Sequence, residues 1–278
     1  MKKLTIPEII ARKKGEKLTM LTAYDAAFAR LLDAVDIDMV LVGDSLGMVL
    51  LGYDSTVPVT MEEMIHHGKA VRRGTSSFLV VDMPFLSYQV GVKEAIRNAG
   101  RLFKETGCDA VKLEGGPEVA DAVRGIVRAG MAVMGHIGLT PQTAGNLGGF
   151  KVQGKDAVSA RKVLHDALAL EEAGVFAIVM ECIPDRLAGL ITERVAVPTI
   201  GIGAGAACDG QVLVTHDLLG MFEKFIPSFV KNYAGLAPRI KEAVALFRQD
   251  VRAGRFPDAA HSFTMQVDVE QIIAGEKS

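Results

Sequence analysis

The chain has 278 residues, of which 49% are hydrophobic and 23% are charged, so it can bury a large core and is not disordered as a whole. Lys and Arg number 31 against 33 Asp and Glu, a formal charge of −2, which argues against binding to nucleic acid or to an anionic membrane surface. The three cysteines (Cys108, Cys182 and Cys208) form no C-x-x-C pair, which argues against a disulfide framework or structural zinc. No run of apolar residues suits a signal peptide or a membrane span, so we expect a cytoplasmic protein.

Eight short apolar segments follow one another along the chain. They are residues 18–24, 39–44, 78–85, 110–115, 131–138, 176–182, 198–203 and 212–217. Most are continuously apolar rather than alternating, which is typical of parallel strands covered on both faces. The pattern therefore predicts eight parallel strands.

The segments between these strands carry helix signals. Thr60 and Glu63 have the spacing of a capping box, Pro117 suits a first helical position, and Gly174 suits a C-cap. Alternating strands and helices predict an α/β fold with right-handed crossovers. The count of eight favours a closed (β/α)8 barrel of the TIM type over an open doubly wound sheet.

Both ends of the chain extend this barrel. Thr5 and Glu8 predict a short N-terminal helix that closes the bottom of the barrel. The chain from Pro227 onward is interpreted as a C-terminal helical extension, followed by a polar tail at about residues 264–278. No repeat or linker interrupts the pattern, so we predict a single domain over residues 1–278.

Several polar side chains lie at or near the predicted ends of strands, where (β/α)8 barrels place their functional residues. They are Asp44, Ser45, Asp82, Lys112, Glu114, His136 and Glu181. A single acid at such a position is ordinarily a cap or an ion-pair partner, and Lys112 and Glu114 share one face and could pair with each other. We expect His136 to bond a neighbouring carbonyl and Cys182 to face the helices. The convergence of many charges on one end of the barrel favours a functional site.

The residue types at this end indicate a chemistry. Asp44, Asp82 and Glu114 would supply hard oxygen ligands, which suit Mg²⁺ better than Zn²⁺. Such an ion could polarise the ketone of a 2-oxo acid. Lys112 could neutralise the carboxylate of that acid, and Glu181 could act as the base that removes a neighbouring proton.

Two short motifs suggest other functions. Residues 43–47 match the G-x-S-x-G pattern and contain the GDSL signature of a serine esterase family, with Asp258 and His261 as its other triad members. The position of the serine and the lack of an oxyanion-hole segment argue against this alternative. The glycine-rich segment 201–205 follows the seventh strand, and it could bind phosphate in an aldolase-like barrel or simply form a tight turn.

Longer stretches resemble ketopantoate hydroxymethyltransferases. The matching segments run in order over residues 4–263. They include TAYD (22–25), LVGDSLGMVLLGYDSTVPVT (41–60), VKLEGG (111–116), GHIGLTPQ (135–142), GGFKVQG (148–154), DALALEEAG (166–174), ECIP (181–184), GIGAG (201–205) and DGQVLV (209–214).

The resemblance implies a (β/α)8 barrel and an Mg²⁺-dependent enzyme of pantothenate and coenzyme A synthesis. Such an enzyme transfers a hydroxymethyl group from 5,10-methylenetetrahydrofolate to 2-oxoisovalerate (3-methyl-2-oxobutanoate), giving 2-dehydropantoate. It implies metal ligation by Asp44, Asp82 and Glu114. It implies contacts to the 2-oxo acid from Asp44, Ser45, Asp82 and Lys112, and Glu181 as the general base.

The resemblance also implies a large homo-oligomer, typically a decamer, with a small-molecule 2-oxo acid and a folate as the other partners. Variation is expected at residues 206–208, and none of the implied site positions is altered. The chain after Phe263 extends beyond the part that matches.

Overall fold

The computed structural model describes residues 3–266 and 269–275. Eight parallel strands pair in chain order, and the first also pairs with the last, so that the sheet closes into a barrel. The strands are β1 (Leu18–Thr22), β2 (Met39–Val42), β3 (Phe78–Asp82), β4 (Ala110–Glu114), β5 (Val133–Gly138), β6 (Ala177–Glu181), β7 (Thr199–Ile202) and β8 (Gly210–Leu213). The predicted (β/α)8 fold is confirmed, and all eight C-terminal strand ends surround one opening.

Helices pack around this barrel. Within the described residues they are α1 (Ile6–Ala11), α2 (Ala26–Asp33), α3 (Leu46–Val49), α4 (Met61–Arg72), α5 (Val92–Thr106), α6 (Ala120–Arg128), α7 (Ala157–Ala173), α8 (Asp185–Arg194), α9 (Thr215–Leu218), α10 (Leu236–Arg252) and α11 (Val269–Gly275). The predicted capping box of Thr60 and Glu63 opens α4. Pro117 begins a 3₁₀ turn before α6, and Gly174 ends α7 with a φ of 99°.

The strands separate two hydrophobic cores, which explains their continuously apolar sequences. On β3, Val80 packs inside the barrel with Met20, whereas the adjacent Val81 packs outside it with Leu102 of α5. Both valines are completely buried. Because successive side chains of a strand point to opposite faces, a sheet covered on both sides needs apolar residues at every position.

Helix α1 closes the N-terminal end of the barrel, as predicted. The Thr5 side chain accepts a hydrogen bond from the backbone N–H of Glu8, and the Glu8 carboxylate bonds the backbone N–H of Thr5. Ile9 is completely buried in the inner core next to Leu18 and Met20. Ligands therefore have no route into the barrel from this end.

Asp209 fastens the chain after α1 to the bottom of the sheet. Its carboxylate accepts hydrogen bonds from the backbone N–H groups of Lys14 and Thr199 at 2.9 Å, and it pairs with the Lys13 ammonium at 2.9 Å. Burial alone would raise the pKa of Asp209, but Lys13 and the two backbone donors lower it further. Its folded-state pKa therefore lies below its ordinary value.

We expect Asp209→Ala to destabilise the protein by about 2–4 kcal/mol, because it leaves buried donors without an acceptor. The measurement is urea unfolding at pH 7. A folded-state pKa below the unfolded value means that the wild-type contribution is present at neutral pH and disappears as the pH falls below about 4. Lys13→Met removes only the ion pair and should cost less; equal losses for both variants would contradict the role given to the backbone bonds.

The chain between β7 and β8 departs from the predicted alternation. Residues 203–209 connect the two strands without a helix, although a parallel crossover ordinarily takes about a dozen residues or more. The eighth strand begins at Gly210 rather than residue 212. The prediction of strand over residues 215–217 was wrong, since they form the first three residues of α9.

The C-terminal helical extension is confirmed by α10. Most of α10 is exposed, including its apolar residues Ile240, Val244 and Phe247. Part of the predicted tail forms α11, while residues 267–268 and 276–278 lie outside the described residues. No helix in the described part of the chain is long and apolar enough to cross a membrane.

Candidate active site

One cavity of about 350 Å³ lies at the C-terminal ends of the strands. All the polar residues that the sequence placed at this end line it, namely Asp44, Ser45, Asp82, Lys112, Glu114, His136 and Glu181. They come from the ends of β2 to β6 or the residues that follow, because each of these strands ends at the same opening. The structure therefore brings the predicted residues together.

Lys112 is buried between acids. Its Nζ lies 3.0 Å from Oδ1 of Asp82, while Oδ2 of Asp82 accepts the backbone N–H of Asp44 at 3.0 Å. Lys112 thus pairs with Asp82 and not with Glu114, although both Lys112 and Glu114 face the cavity as their spacing predicts. Burial lowers the pKa of Lys112, but the neighbouring carboxylates raise it above its ordinary value, so Lys112 carries a positive charge.

His136 lies between two carboxylates. Its Nδ1 is 3.3 Å from Oε1 of Glu114, and its Nε2 is 3.2 Å from Oε2 of Glu181. The expectation that His136 bonds only a neighbouring carbonyl was wrong. Burial and the charge of Lys112 lower the pKa of His136, but the two carboxylates outweigh them and raise it to about 9.

Gln142 organises the acids and was missed in the sequence. Its Nε2 donates to Oδ2 of Asp44 at 2.8 Å and to the carbonyl of Met83 at 2.9 Å, and its backbone N–H donates to Oε2 of Glu114 at 3.0 Å. The Tyr88 hydroxyl donates to Oε1 of Gln142 at 2.6 Å, which fixes the orientation of the amide. A single amide carries no charge signal; its position directly after Pro141, past the end of β5, was the only clue.

The cavity holds more negative than positive charge. Burial raises the pKa of Asp44 well above its ordinary value, and the charges of Asp82 and Glu114 raise it further. Five carboxylates line the cavity, with one ammonium and one imidazolium. Oδ1 of Asp82, although close to Lys112, makes no hydrogen bond of good geometry. An added cation would relieve this excess of negative charge.

Oxygen ligands of this kind suit Mg²⁺. Within residues 3–266 and 269–275, no group of three or more His, Cys, Asp and Glu side chains is arranged to hold a metal ion by itself. Magnesium usually takes only one or two carboxylates and completes its shell with water and substrate oxygens. The donor set therefore fits an ion shared with a substrate, and not a closed structural site.

The residues of the esterase alternative do not come together. Oγ of Ser45 is hydrogen-bonded to the Tyr24 hydroxyl at 2.9 Å. His261 pairs with Asp258 at 2.6 Å, and it is largely exposed and not among the residues that line the cavity. No catalytic triad is therefore formed, because its base and its serine belong to different parts of the surface.

The glycine-rich segment after β7 forms a tight turn. Gly203 and Gly205 have φ angles of 63° and 78°, in the region that favours glycine. A Cβ on Gly203 would lie 2.7 Å from the ring of Phe229, and one on Gly205 would lie 2.6 Å from Cβ of Asp185. Close packing and the nearby acid favour the turn over the phosphate-binding interpretation.

Cys182 lines the cavity, contrary to the expectation that it faces the helices. Its φ of 48° lies in the left-handed region, which breaks the strand alternation directly after Glu181. Its backbone is held by bonds from its N–H to the carbonyl of Ile202 and from the N–H of Gln153 to its own carbonyl, both 2.9 Å. Burial and the charge of Glu181 raise the pKa of the thiol to about 12, so it is not a nucleophile at neutral pH.

The fold and the cavity define a (β/α)8 barrel with a buried acidic ligand site at the C-terminal ends of its strands. Sequence comparison assigns it further. The model of the family described as ketopantoate hydroxymethyltransferase matches residues 3–259, and the chain belongs to this family.

Curated relatives match this chain over nearly its whole length. A 3-methyl-2-oxobutanoate hydroxymethyltransferase of Desulfotalea psychrophila is 59% identical over 274 residues, which cover 98% of each chain. The enzyme of the same name from Moorella thermoacetica is 60% identical over 263 residues, covering 94% of this chain and 98% of the relative.

Solved structures share the fold at low sequence identity. A phosphoenolpyruvate phosphomutase from Streptomyces platensis subsp. rosaceus has a TM-score of 0.61 at 14% identity, covering 99% of this chain and 96% of its own. A phosphonopyruvate hydrolase in complex with oxalate and Mg²⁺ has a TM-score of 0.59 at 15% identity, with the same coverage. At this identity the likeness concerns the barrel alone.

Proposed function

We propose that this protein transfers a hydroxymethyl group from 5,10-methylenetetrahydrofolate to 2-oxoisovalerate, giving 2-dehydropantoate for pantothenate and coenzyme A synthesis. The observation that carries the proposal is the buried, charged Lys112 in the same cavity as five carboxylates, one of them Glu181. A cation and a candidate base in one pocket suit an anionic substrate that must lose a proton. The names of the close relatives support the reaction.

Asp44, Asp82 and Glu114 would hold Mg²⁺ at this site. When bound, the ion supplies positive charge that polarises the ketone of the 2-oxo acid and acidifies the neighbouring C–H group. The excess of negative charge and the raised pKa of Asp44 support this assignment. Gln142 keeps the Asp44 and Glu114 carboxylates in place through its two hydrogen bonds.

Lys112 and Ser45 bind the 2-oxo acid. The Lys112 ammonium neutralises the carboxylate of the substrate, and its pairing with Asp82 holds it in position. The Ser45 hydroxyl, bonded to Tyr24, donates or accepts a hydrogen bond without becoming a nucleophile. Asp44 and Asp82 complete the contacts to this substrate.

Glu181 removes the proton from C3 of the 2-oxo acid, and the electron pair of the C–H bond forms the enolate. C3 then forms a C–C bond to the methylene carbon of the folate, and water forms the C–O bond of the new hydroxyl group. Both C–N bonds of the methylene bridge break, and tetrahydrofolate leaves with one proton from water and the one that Glu181 removed. His136 lies 3.2 Å from Oε2 of Glu181, where it orients the carboxylate. The reaction needs oriented charge and no covalent protein intermediate.

Hydrogen exchange at C3 tests this proposal directly. We expect the wild-type protein to replace the C3 hydrogen of 2-oxoisovalerate with deuterium in D₂O when Mg²⁺ is present and folate is absent, as followed by proton NMR. EDTA should stop the exchange, and added Mg²⁺ should restore it. Exchange that continues at the same rate with EDTA would refute the role of the metal. A protein that shows neither exchange nor hydroxymethyl transfer would refute the function.

A further inference from the structure

The cavity has a second, apolar side. Its charged residues lie at the ends of β2 to β6 or directly after them, whereas the side formed by β7, β8 and the chain after α9 is apolar. This side is lined by Ile202, Val214, Phe222, Phe225 and Phe229. The carboxylate and ketone of the proposed 2-oxo acid need the charged side. Its isopropyl group is small, so the apolar side still has surface for a flat ring system.

Asp217 is the one carboxylate on this apolar side among the described residues. It belongs to α9 and is 8% exposed. Its Oδ1 is buried and accepts no hydrogen bond from any described residue. Burial raises the pKa of Asp217 to about 6, and no neighbouring charge lowers it.

The groups next to Asp217 do not neutralise its negative charge. The ring of His216 lies against Tyr24 and Phe28, with centroids 5.4 Å and 5.7 Å apart. Nδ1 of His216 also lacks a partner, and burial lowers the pKa of His216, so it offers no positive charge. Tyr24 uses its hydroxyl on Ser45. A buried carboxylate without a donor is costly to the folded state, and a ligand that donates hydrogen bonds would remove that cost.

We propose that Asp217 recognises the pterin ring of the folate by accepting hydrogen bonds from its N3–H and 2-amino groups. The proposal rests on the function proposed above and names the residue that selects its second substrate. The amino-oxo edge of a tetrahydropterin presents two parallel donors, and a carboxylate has two oxygens at the matching spacing. Phe222, Phe225 and Phe229 supply apolar surface for the rings.

The position of Asp217 also suits the reaction. It follows β8, whereas Lys112 and Glu181 lie on β4 and β6, and all three line the same cavity. A pterin anchored at Asp217 therefore shares one chamber with the 2-oxo acid. This arrangement lets the one-carbon unit of the folate face the C3 atom from which Glu181 removes the proton.

Calorimetric titration with tetrahydrofolate tests the proposal. We expect Asp217→Asn to weaken tetrahydrofolate binding roughly 10- to 100-fold, because the amide cannot accept both hydrogen bonds and carries no charge. Asp54→Asn, at an exposed acid that does not line the cavity, is the matched control and should bind like the wild type. Unchanged affinity in the Asp217 variant would overturn the proposal.

A ligand that lacks the amino group tests the same contact without a mutation. The wild-type protein should bind 2-desamino-2-methyl-tetrahydrofolate less tightly than tetrahydrofolate, and Asp217→Asn should discriminate much less between the two. Equal discrimination by both proteins would refute the contact. Hydrogen exchange at C3, which needs no folate, separates the two proposals: its loss in the wild type refutes the function, and a comparable loss confined to Asp217→Asn places Asp217 in the 2-oxo acid site instead.

Discussion

Glu181→Gln is expected to slow the exchange of the C3 hydrogen of 2-oxoisovalerate about 10³-fold, since a positioned base contributes about 10²–10⁴ to such a proton transfer. The glutamine keeps the shape of the side chain beside His136, which lies 3.2 Å from Oε2 of Glu181 in the native protein. The amide of glutamine cannot accept the proton from C3. The rate is measured by NMR in D₂O with saturating Mg²⁺, and overall hydroxymethyl transfer should fall with it.

Binding of the 2-oxo acid to Glu181→Gln should change less than tenfold, because Lys112 and Ser45 are the residues proposed to hold that substrate. Glu172→Gln makes the same chemical change at an exposed residue of α7 and serves as the control. Exchange at the parental rate in Glu181→Gln would assign the base to another residue. Loss of exchange together with loss of binding would point to a damaged site.

Asp44→Asn is expected to lower the activity at limiting Mg²⁺ by at least about 100-fold while leaving the protein as stable as the wild type or more stable. The activity falls because Asp44 is one of the proposed ligands of Mg²⁺, and asparagine lacks its charge. Stability does not fall, because burial and the charges of Asp82 and Glu114 oppose the ionised Asp44 in the folded state. Activity is measured against Mg²⁺ concentration, and stability by urea unfolding without metal.

Asp54→Asn controls for the loss of one negative charge in the connection between α3 and α4, since the Asp54 side chain is fully exposed. It should alter neither the Mg²⁺ dependence nor the unfolding midpoint. An Asp44 variant that unfolds more easily and keeps its Mg²⁺ dependence would show that Asp44 serves the fold and not the metal.

The barrel could be predicted because its strands are buried on both faces. A pair such as Val80 and Val81, each completely buried on opposite sides of β3, leaves an uninterrupted apolar signal. The carboxylates at the strand ends were equally visible, since charge next to an apolar run is conspicuous. The short connection between β7 and β8 could not be predicted, because a short link and a helical crossover begin with similar glycine-rich turns.

Other features depend on distant parts of the chain. Gln142 gains its role from bonds to Asp44 and Glu114, which are far from it in sequence. His136 reaches Glu181 only through the pairing of β5 with β6. Asp217 looked like the end of a strand, and only the short helix α9 brings it to the apolar side of the cavity. Such contacts follow from the closure of the sheet and not from local pattern.

Because the N-terminal end of the barrel is closed, ligands enter and leave at the opposite end. Ile9 and the inner core block that end, and Lys112 is 4% exposed, whereas Phe225 at the rim is 61% exposed. Both reactants must therefore enter through the opening at the C-terminal ends of the strands. The deeper part of the cavity has to be filled first. We infer that productive turnover requires the keto acid to enter before the folate, while tetrahydrofolate can still occupy the outer, apolar side of the cavity on its own. The hydroxymethylated keto acid then leaves last. The steady-state kinetics should therefore follow a sequential and not a ping-pong scheme.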